Sequence, residues 1–238
     1  MDCKGDDIEE HVKDLGVMLS SNLTFSHHIK KLVKSCQKQS GYIMRTFSTR
    51  NRETMLTLWK SMLQSRLDYC SQLYSPSSAG EIKQLEDVQR SFTSRIQGMQ
   101  EKNYRERLQD LRLYSQERRR ERYSIIFIWK IAMGLVDGYS LMFSNHGRRG
   151  RICSVKTISR TTQAQVRRAM ESSLGVKGAK LFNMLPADIR NISSDKVTVF
   201  KRALDKYLSK IPDEPTIEEQ GRAAESNSLL DQIPLLRS

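Results

Sequence analysis

Cysteine is sparse in this chain of 238 residues: Cys3, Cys36, Cys70 and Cys153 stand far apart and form no C-x-x-C pair. A structural zinc site therefore has no ligand set of the usual spacing. Histidine is equally thin. His11, His27, His28 and His146 show neither H-x-x-x-H nor H-E-x-x-H spacing, so they read as surface or helix-start residues rather than metal or catalytic ligands. No apolar run approaches the roughly 20 residues a membrane span needs, because Lys130 interrupts the best candidate. The first ten residues are acidic and polar, which excludes a secretory leader and predicts an intracellular, reducing location.

Acid is missing where base is plentiful. The formal net charge is +13, yet residues 1–10 carry five acids against Lys4, and residues 212–238 carry six against Arg222 and Arg237. The two ends, at −4 each, leave +21 for the span from His11 to Ile211. A surplus of that size implies phosphate backbones or an acidic surface as partner, with nucleic acid the default reading. Between Asn145 and Lys180, nine basic residues face only Glu171. The length allows one large domain or two small ones with a real core.

Helical periodicity dominates. Residues 13–19 (K-D-L-G-V-M-L) read as a short strand with a glycine, preceded by the remnant of another around residues 5–12, which together suit a truncated hairpin. After Thr24 or Ser26 as cap, Ile29, Leu32, Val33, Cys36, Ile43 and Phe47 recur at helical spacing, with Lys30, Lys31, Lys34 and Lys38 outside and Gly41 as a potential break. A second helix is predicted over residues 52–67, with Met55, Leu58, Trp59, Met62 and Leu63 as its apolar stripe. A third is predicted over 78–96, with Gly98 just beyond it. A weak strand is read over 152–158. Leu181, Phe182, Leu185 and Pro186 form an apolar knot, and Asp195 is read as the cap of a last helix that Pro212 follows.

The densest feature is the junction after Ser115. Arg118, Arg119, Arg120 and Arg122 run into Ile125, Ile126, Phe127, Ile128 and Trp129. Ser115 is a good N-cap and Gly134 a good stop, so one long helix is predicted, wet in its first half and buried in its second, although β-branching leaves a strand open for the apolar run. Arg118 and Arg122 share a face, a like-charge repulsion that a bound polyanion would reverse. The alternative is a solvated face.

These motifs, taken in order, resemble the region downstream of the polymerase active site in non-LTR, jockey-like retrotransposon reverse transcriptases, over roughly residues 5–208. The resemblance rests on D-L-G-V at Asp14–Val17 with Leu23, Phe25, His28 and Ile29, and on S-R-L-D-Y-C at Ser65–Cys70 with Ser75 and Pro76. It also rests on V-Q-R-S-F-T at Val88–Thr93, on Tyr104, Arg107 and Leu108, on Glu117, Arg118 and Arg119, on Arg149 and Gly150, and on Asn183, Leu185 and Pro186 ahead of Phe200. Phe182 stands where the family often has tryptophan, and Ser91 and Ser94 where further basic residues are usual.

The resemblance implies a primer-grip hairpin followed by a thumb that holds the template-primer duplex. The fingers and the metal-binding palm would lie before Met1, so no catalytic residue, cofactor or metal is expected in this chain, and magnesium would belong to the palm. Gly5-Asp6-Asp7 falls in the turn before the L-G segment, with no upstream strand to supply a partner carboxylate for two-metal chemistry.

The expected fold is thus mainly α. A β-hairpin remnant (1–22) leads into a thumb-like helical bundle (23–136), then a basic, mostly helical C-terminal region (137–211) and a disordered acidic tail (212–238). The expected phosphate contacts are Arg118, Arg119, Arg120, Arg122, Arg148, Arg149, Arg151 and Lys156, positioning a duplex without reading bases. Tyr104, Tyr114 and Tyr123 read as core packers ahead of base-stacking rings. The missing palm or another protein is a further expected partner. A helical protein-interaction module, derived from such an element, is the alternative function.

Overall fold

The computed structural model describes residues 11–21, 24–74, 76, 78–139, 141–145, 150–155, 157–159, 162–215 and 227–235. The fold is mainly α, and it starts with a hairpin. Strand β1 (His11–Asp14) pairs antiparallel with β2 (Val17–Ser20), Asp14 opposite Val17. The two-residue loop Leu15-Gly16 has positive φ at both positions, 42° and 87°, which matches the right-handed twist of the strands. The glycine expected inside a strand is therefore the turn of the hairpin.

Helix α1 (Ser26–Thr46) follows without a side-chain cap and runs through Gly41. It buries Ile29, Val33, Cys36 and Ile43. Helix α2 (Arg52–Leu58), capped by Asn51 on the Thr54 N–H, continues into a π-helical stretch (Trp59–Gln64) and then α3 (Ser65–Asp68). Three hydroxyls bond back one turn along this run: Thr57 to the Glu53 carbonyl, Ser61 to Thr57 and Ser65 to Ser61, at 3.0, 2.8 and 2.7 Å. Such back-bonding competes with the α-helical ladder and bends it. Helix α4 (Ala79–Thr93), capped by Ser78, packs on α1 and brings Phe92 to 5.2 Å from Trp59. Together with Met55, Leu63, Leu67 and Tyr74 these residues form the first core.

Helix α5 (Tyr104–Leu111), entered through an Asn103–Glu106 capping box, leads to α6 (Gln116–Ala132). Ser115 accepts from the Arg118 N–H as predicted, and Gly134, at φ 67°, closes the other end: its N–H reaches the Ile131 carbonyl while Leu135 N–H reaches Lys130. The second half of α6 enters a separate core built from C-terminal elements. These are β3 (Phe143–Asn145) paired with β4 (Arg151–Cys153), a second π-helical turn (Leu174–Gly178) that follows α7 (Ala164–Ser172), α8 (Ala179–Asn183), α9 (Ala187–Arg190) and α10 (Val197–Leu208). Trp129 stacks on Phe200 with ring centroids 4.3 Å apart, and Leu181, Phe182 and Leu185 close around them. The two cores divide the chain inside α6, well before residue 136.

Two expectations change here. Asp195 sits in a 3-10 turn (Ser194–Lys196) ahead of α10, whose N-cap is Lys196. The tail expected to be disordered carries α11 (Leu229–Leu235), whose Leu229 and Ile233, one turn apart, are fully buried in the second core. Composition pointed to a solvated tail, but two leucine-class side chains four residues apart are enough to dock a short helix when a core is waiting for them.

Candidate functional site

Helix α6 starts in a crowd of polar groups. The Ser115 N–H donates to Asp213 Oδ2 (2.8 Å) and the Gln116 N–H to Glu86 Oε2 (2.8 Å), so two carboxylates satisfy N–H groups at this helix start that the helix itself leaves free. Glu86 is buried and also accepts from the Tyr104 hydroxyl. Burial pushes its carboxyl up to about 7, despite the Tyr104 and Gln116 hydrogen bonds that pull it down. Glu117 is raised to about 7 as well, first by burial and then by Glu121. Burial and the neighbouring Glu86 also raise the Tyr104 hydroxyl far above its ordinary range.

The four arginines of this turn each reach another part of the chain. Arg118, 0% exposed, donates from Nη2 to the Pro212 carbonyl (2.8 Å), from Nη1 to the Ile211 carbonyl (3.3 Å), and to Gln232 of α11. Arg119 makes a two-pronged ion pair with Asp68 of α3 at 2.9 and 2.7 Å. Arg120 lies 4.6 Å over the Tyr74 ring and donates to the Tyr74 hydroxyl and carbonyl and to the Leu67 carbonyl. Arg122 pairs with Asp205 of α10, Nη2 to Oδ2 at 2.8 Å. Glu121, 2% exposed, accepts from the Ser228 hydroxyl (2.6 Å) and the Leu229 N–H (2.8 Å) and so holds the start of α11.

The half of α6 expected to be wet is therefore the polar hub joining both cores and the C-terminal helix. Arg118 and Arg120 are enclosed by protein, and Arg119 and Arg122 have their forks filled by carboxylates. Where phosphate contacts were expected, the carboxylates of Asp68 and Asp205 fill the Arg119 and Arg122 forks and protein oxygens take up the Nη groups of Arg118 and Arg120, because burying a guanidinium without close partners is costly; among the described residues the buried Nε of Arg118 and of Arg120 has no hydrogen-bond partner. The charge repulsion anticipated between Arg118 and Arg122 is relieved by Asp205 and by carbonyl dipoles rather than by an external anion.

Of the connector residues, Arg148, Arg149 and Lys156 lie outside the described residues. Arg151 is half-buried: its N–H donates to Asn191 Oδ1 (3.0 Å), its guanidinium lies 2.9 Å from Met133 Sδ, and its carbonyl accepts from Arg190 (2.8 Å). Tyr104 packs inside with its hydroxyl on Glu86, and Tyr123 gives its hydroxyl to Asp68.

The open basic surface is elsewhere. Helix α1 holds Lys30, Lys31, Lys34, Lys38 and Arg45 and no Asp or Glu over its 21 residues. All five cations are exposed, on the side opposite Ile29, Val33, Cys36 and Ile43. Among the described residues none of them pairs with a carboxylate. At the first turn, burial and the nearby Arg120, His27 and Lys31 hold the His28 imidazole below its ordinary value, so this end of the helix already sits in a positive field. The sequence placed these lysines outside without singling them out. The available signal was the complete absence of acid from one amphipathic helix, a subtler mark than a run of arginines.

Among the described residues no group of three or more His, Cys, Asp or Glu side chains is placed to hold a metal ion, and no helix is long and apolar enough to cross a membrane. Cys36 and Cys153 are free, buried thiols raised to about 11 by burial. Comparison with family models, with curated proteins and with solved structures finds no match to the chain.

Proposed function

We propose that this chain binds nucleic acid through the phosphate backbone, as the template-primer-holding part of an RNA-directed DNA polymerase of the non-LTR retrotransposon kind it resembles, with nucleotidyl transfer left to a palm outside the chain. The observation that carries the reading is the acid-free face of α1, five exposed cations with no carboxylate partner among the described residues. A cluster of that kind repels itself in the free protein and is relieved when phosphates replace its counterions. The sequence-wide charge of +13 points the same way. Arg148, Arg149, Arg151 and Lys156 remain proposed contacts, and the α6 arginines are not among them.

The test is the binding of a fluorescent duplex between about 50 and 200 mM salt. The wild-type chain is expected to lose affinity steeply over that range. Changing Lys30, Lys34 and Lys38 together to Gln should weaken binding to all sequences alike and flatten the slope of log K against log salt by about 2 to 3. A slope unchanged in that variant removes α1 from the interface, and no binding at low salt ends the proposal.

One observation favours the alternative, a protein-interaction module. The hairpin exposes Val12 (52%), Leu15 (82%) and Leu19 (39%), with Tyr69, whose hydroxyl donates to the Leu15 carbonyl, exposed beside them. Salt-independent association with a protein partner, lost on Leu15→Ser, would favour that reading.

A further inference from the structure

Along the solvent side of α1, Lys30, Lys34, Lys38 and Tyr42 follow one another at four-residue spacing. In an α-helix that spacing makes a single ridge, each member about 6 Å beyond the last. The first three places carry ammonium groups, at a step comparable to that between successive phosphates of one extended strand. The fourth carries an aromatic ring. Tyr42 is 55% exposed, and among the described residues its ring and hydroxyl have no partner. The other tyrosines near basic groups differ: Tyr74 and Tyr104 are buried under Arg120 and Arg107, and Tyr123 is covered by Arg119.

A cationic row that ends in a free ring suits an unpaired strand better than a duplex. In a duplex the base faces are stacked on each other, so the backbone can meet the lysines while the ring finds no base. In a single strand a base can leave its neighbours and lie on the ring, a contact that is indifferent to base identity. We propose that the α1 ridge takes single-stranded nucleic acid, with consecutive phosphates on Lys30, Lys34 and Lys38 and one base stacked on Tyr42. This rests on the phosphate-binding reading above and adds the strand state and the stacking residue to it.

The experiment compares the full chain with Tyr42→Ala, Tyr42→Phe and the Lys30/Lys34/Lys38→Gln variant. The probes are a labelled oligothymidine of about 12 nucleotides and a labelled duplex of the same length, at low salt. Tyr42→Ala is expected to weaken oligothymidine binding roughly five- to a hundredfold and to leave duplex binding unchanged, while Tyr42→Phe keeps the wild-type affinity for both. The triple lysine variant weakens both. Equal losses on both probes in Tyr42→Ala, or no loss on either, overturn the stacking proposal and leave phosphate binding standing. A wild-type chain that binds neither probe overturns both. Tyr42 is exposed and packs against nothing in the core, so the Ala variant keeps the wild-type melting temperature, which excludes unfolding as the source of a loss.

Discussion

Arg119 of α6 and Asp68 of α3 face each other across 51 residues of sequence, Nε and Nη2 on the two carboxylate oxygens at 2.9 and 2.7 Å, with the Tyr123 hydroxyl closing the group at 2.8 Å from Nη2. Both side chains are largely buried, at 24% and 19% exposure. The pair fixes the end of the α2–α3 run against the hub helix. A fork-to-fork geometry in partial burial is stronger than an open surface pair. Asp68→Ala is expected to destabilise the chain by about 1–3 kcal/mol, and a double-mutant cycle with Arg119→Ala to return a coupling of about 1 kcal/mol or more in denaturant melts. A coupling near zero would make the pair incidental to the fold.

Among the described residues Arg118 has no carboxylate fork partner, yet it is completely buried, donating to the Ile211 and Pro212 carbonyls and to Gln232. Arg118→Met keeps much of the apolar stem and removes the donors, leaving two carbonyls unsatisfied. The expected loss is roughly 3 kcal/mol, with faster proteolysis of the segment after residue 211 as its local sign. Arg118→Lys is expected to rescue little, since an ammonium cannot reach three acceptors spread over the fork.

Glu86 gives the fold a pH dependence with a definite sign. Its carboxyl is raised from the ordinary 4.5 to about 7 in the folded chain, so the native state holds the proton more tightly than the unfolded state. That contribution is complete below about 4.5, is lost as pH rises towards 7, and is flat above it, for a total on the order of 3 kcal/mol. His28, lowered by burial, acts in the opposite sense below its ordinary 6.5. The clean measurement is therefore the stability difference between Glu86→Gln and wild type. That difference should grow in favour of Gln from pH 5 to pH 7.5, and a pH-independent difference would contradict the assignment.

The C-terminal helix is held by few contacts of high quality. Ser228 and Leu229 bond to Glu121, and Leu229 and Ile233 fill the second core. Leu229→Ala is expected to cost about 2–4 kcal/mol by cavity formation, and Ser228→Ala about 1 kcal/mol. Amide exchange in the second half of α6 should quicken in Leu229→Ala and stay unchanged in the first core, because Leu229 and the apolar half of α6 belong to the second core and the first core is built from other side chains.

Much of the architecture was readable in one dimension. Ile29, Val33, Cys36 and Ile43 sit on a 3.6-residue period and are buried together; Ser115, read as the cap of α6, does cap it, whereas Thr24 or Ser26 and Asp195, read as caps of α1 and α10, do not. Gly134 ends α6 because a residue at φ 67° completes the C-terminal hydrogen bonds. These features depend on neighbours within a turn or two of chain, and local chemistry is enough to set them.

The fate of the arginines was not readable in this way. Arg119 and Arg122 look alike in sequence to the lysines of α1, and what separates them is the arrival of Asp68 from 51 residues upstream and Asp205 from 83 residues downstream. The same holds for the tail, whose helix forms because Glu121 and the second core await it. Periodicity, caps and net charge are properties of adjacent residues and were settled by the order of the amino acids. Which cations are paired inside and which stay exposed is a property of distant segments meeting, and desolvation at those meetings settled it.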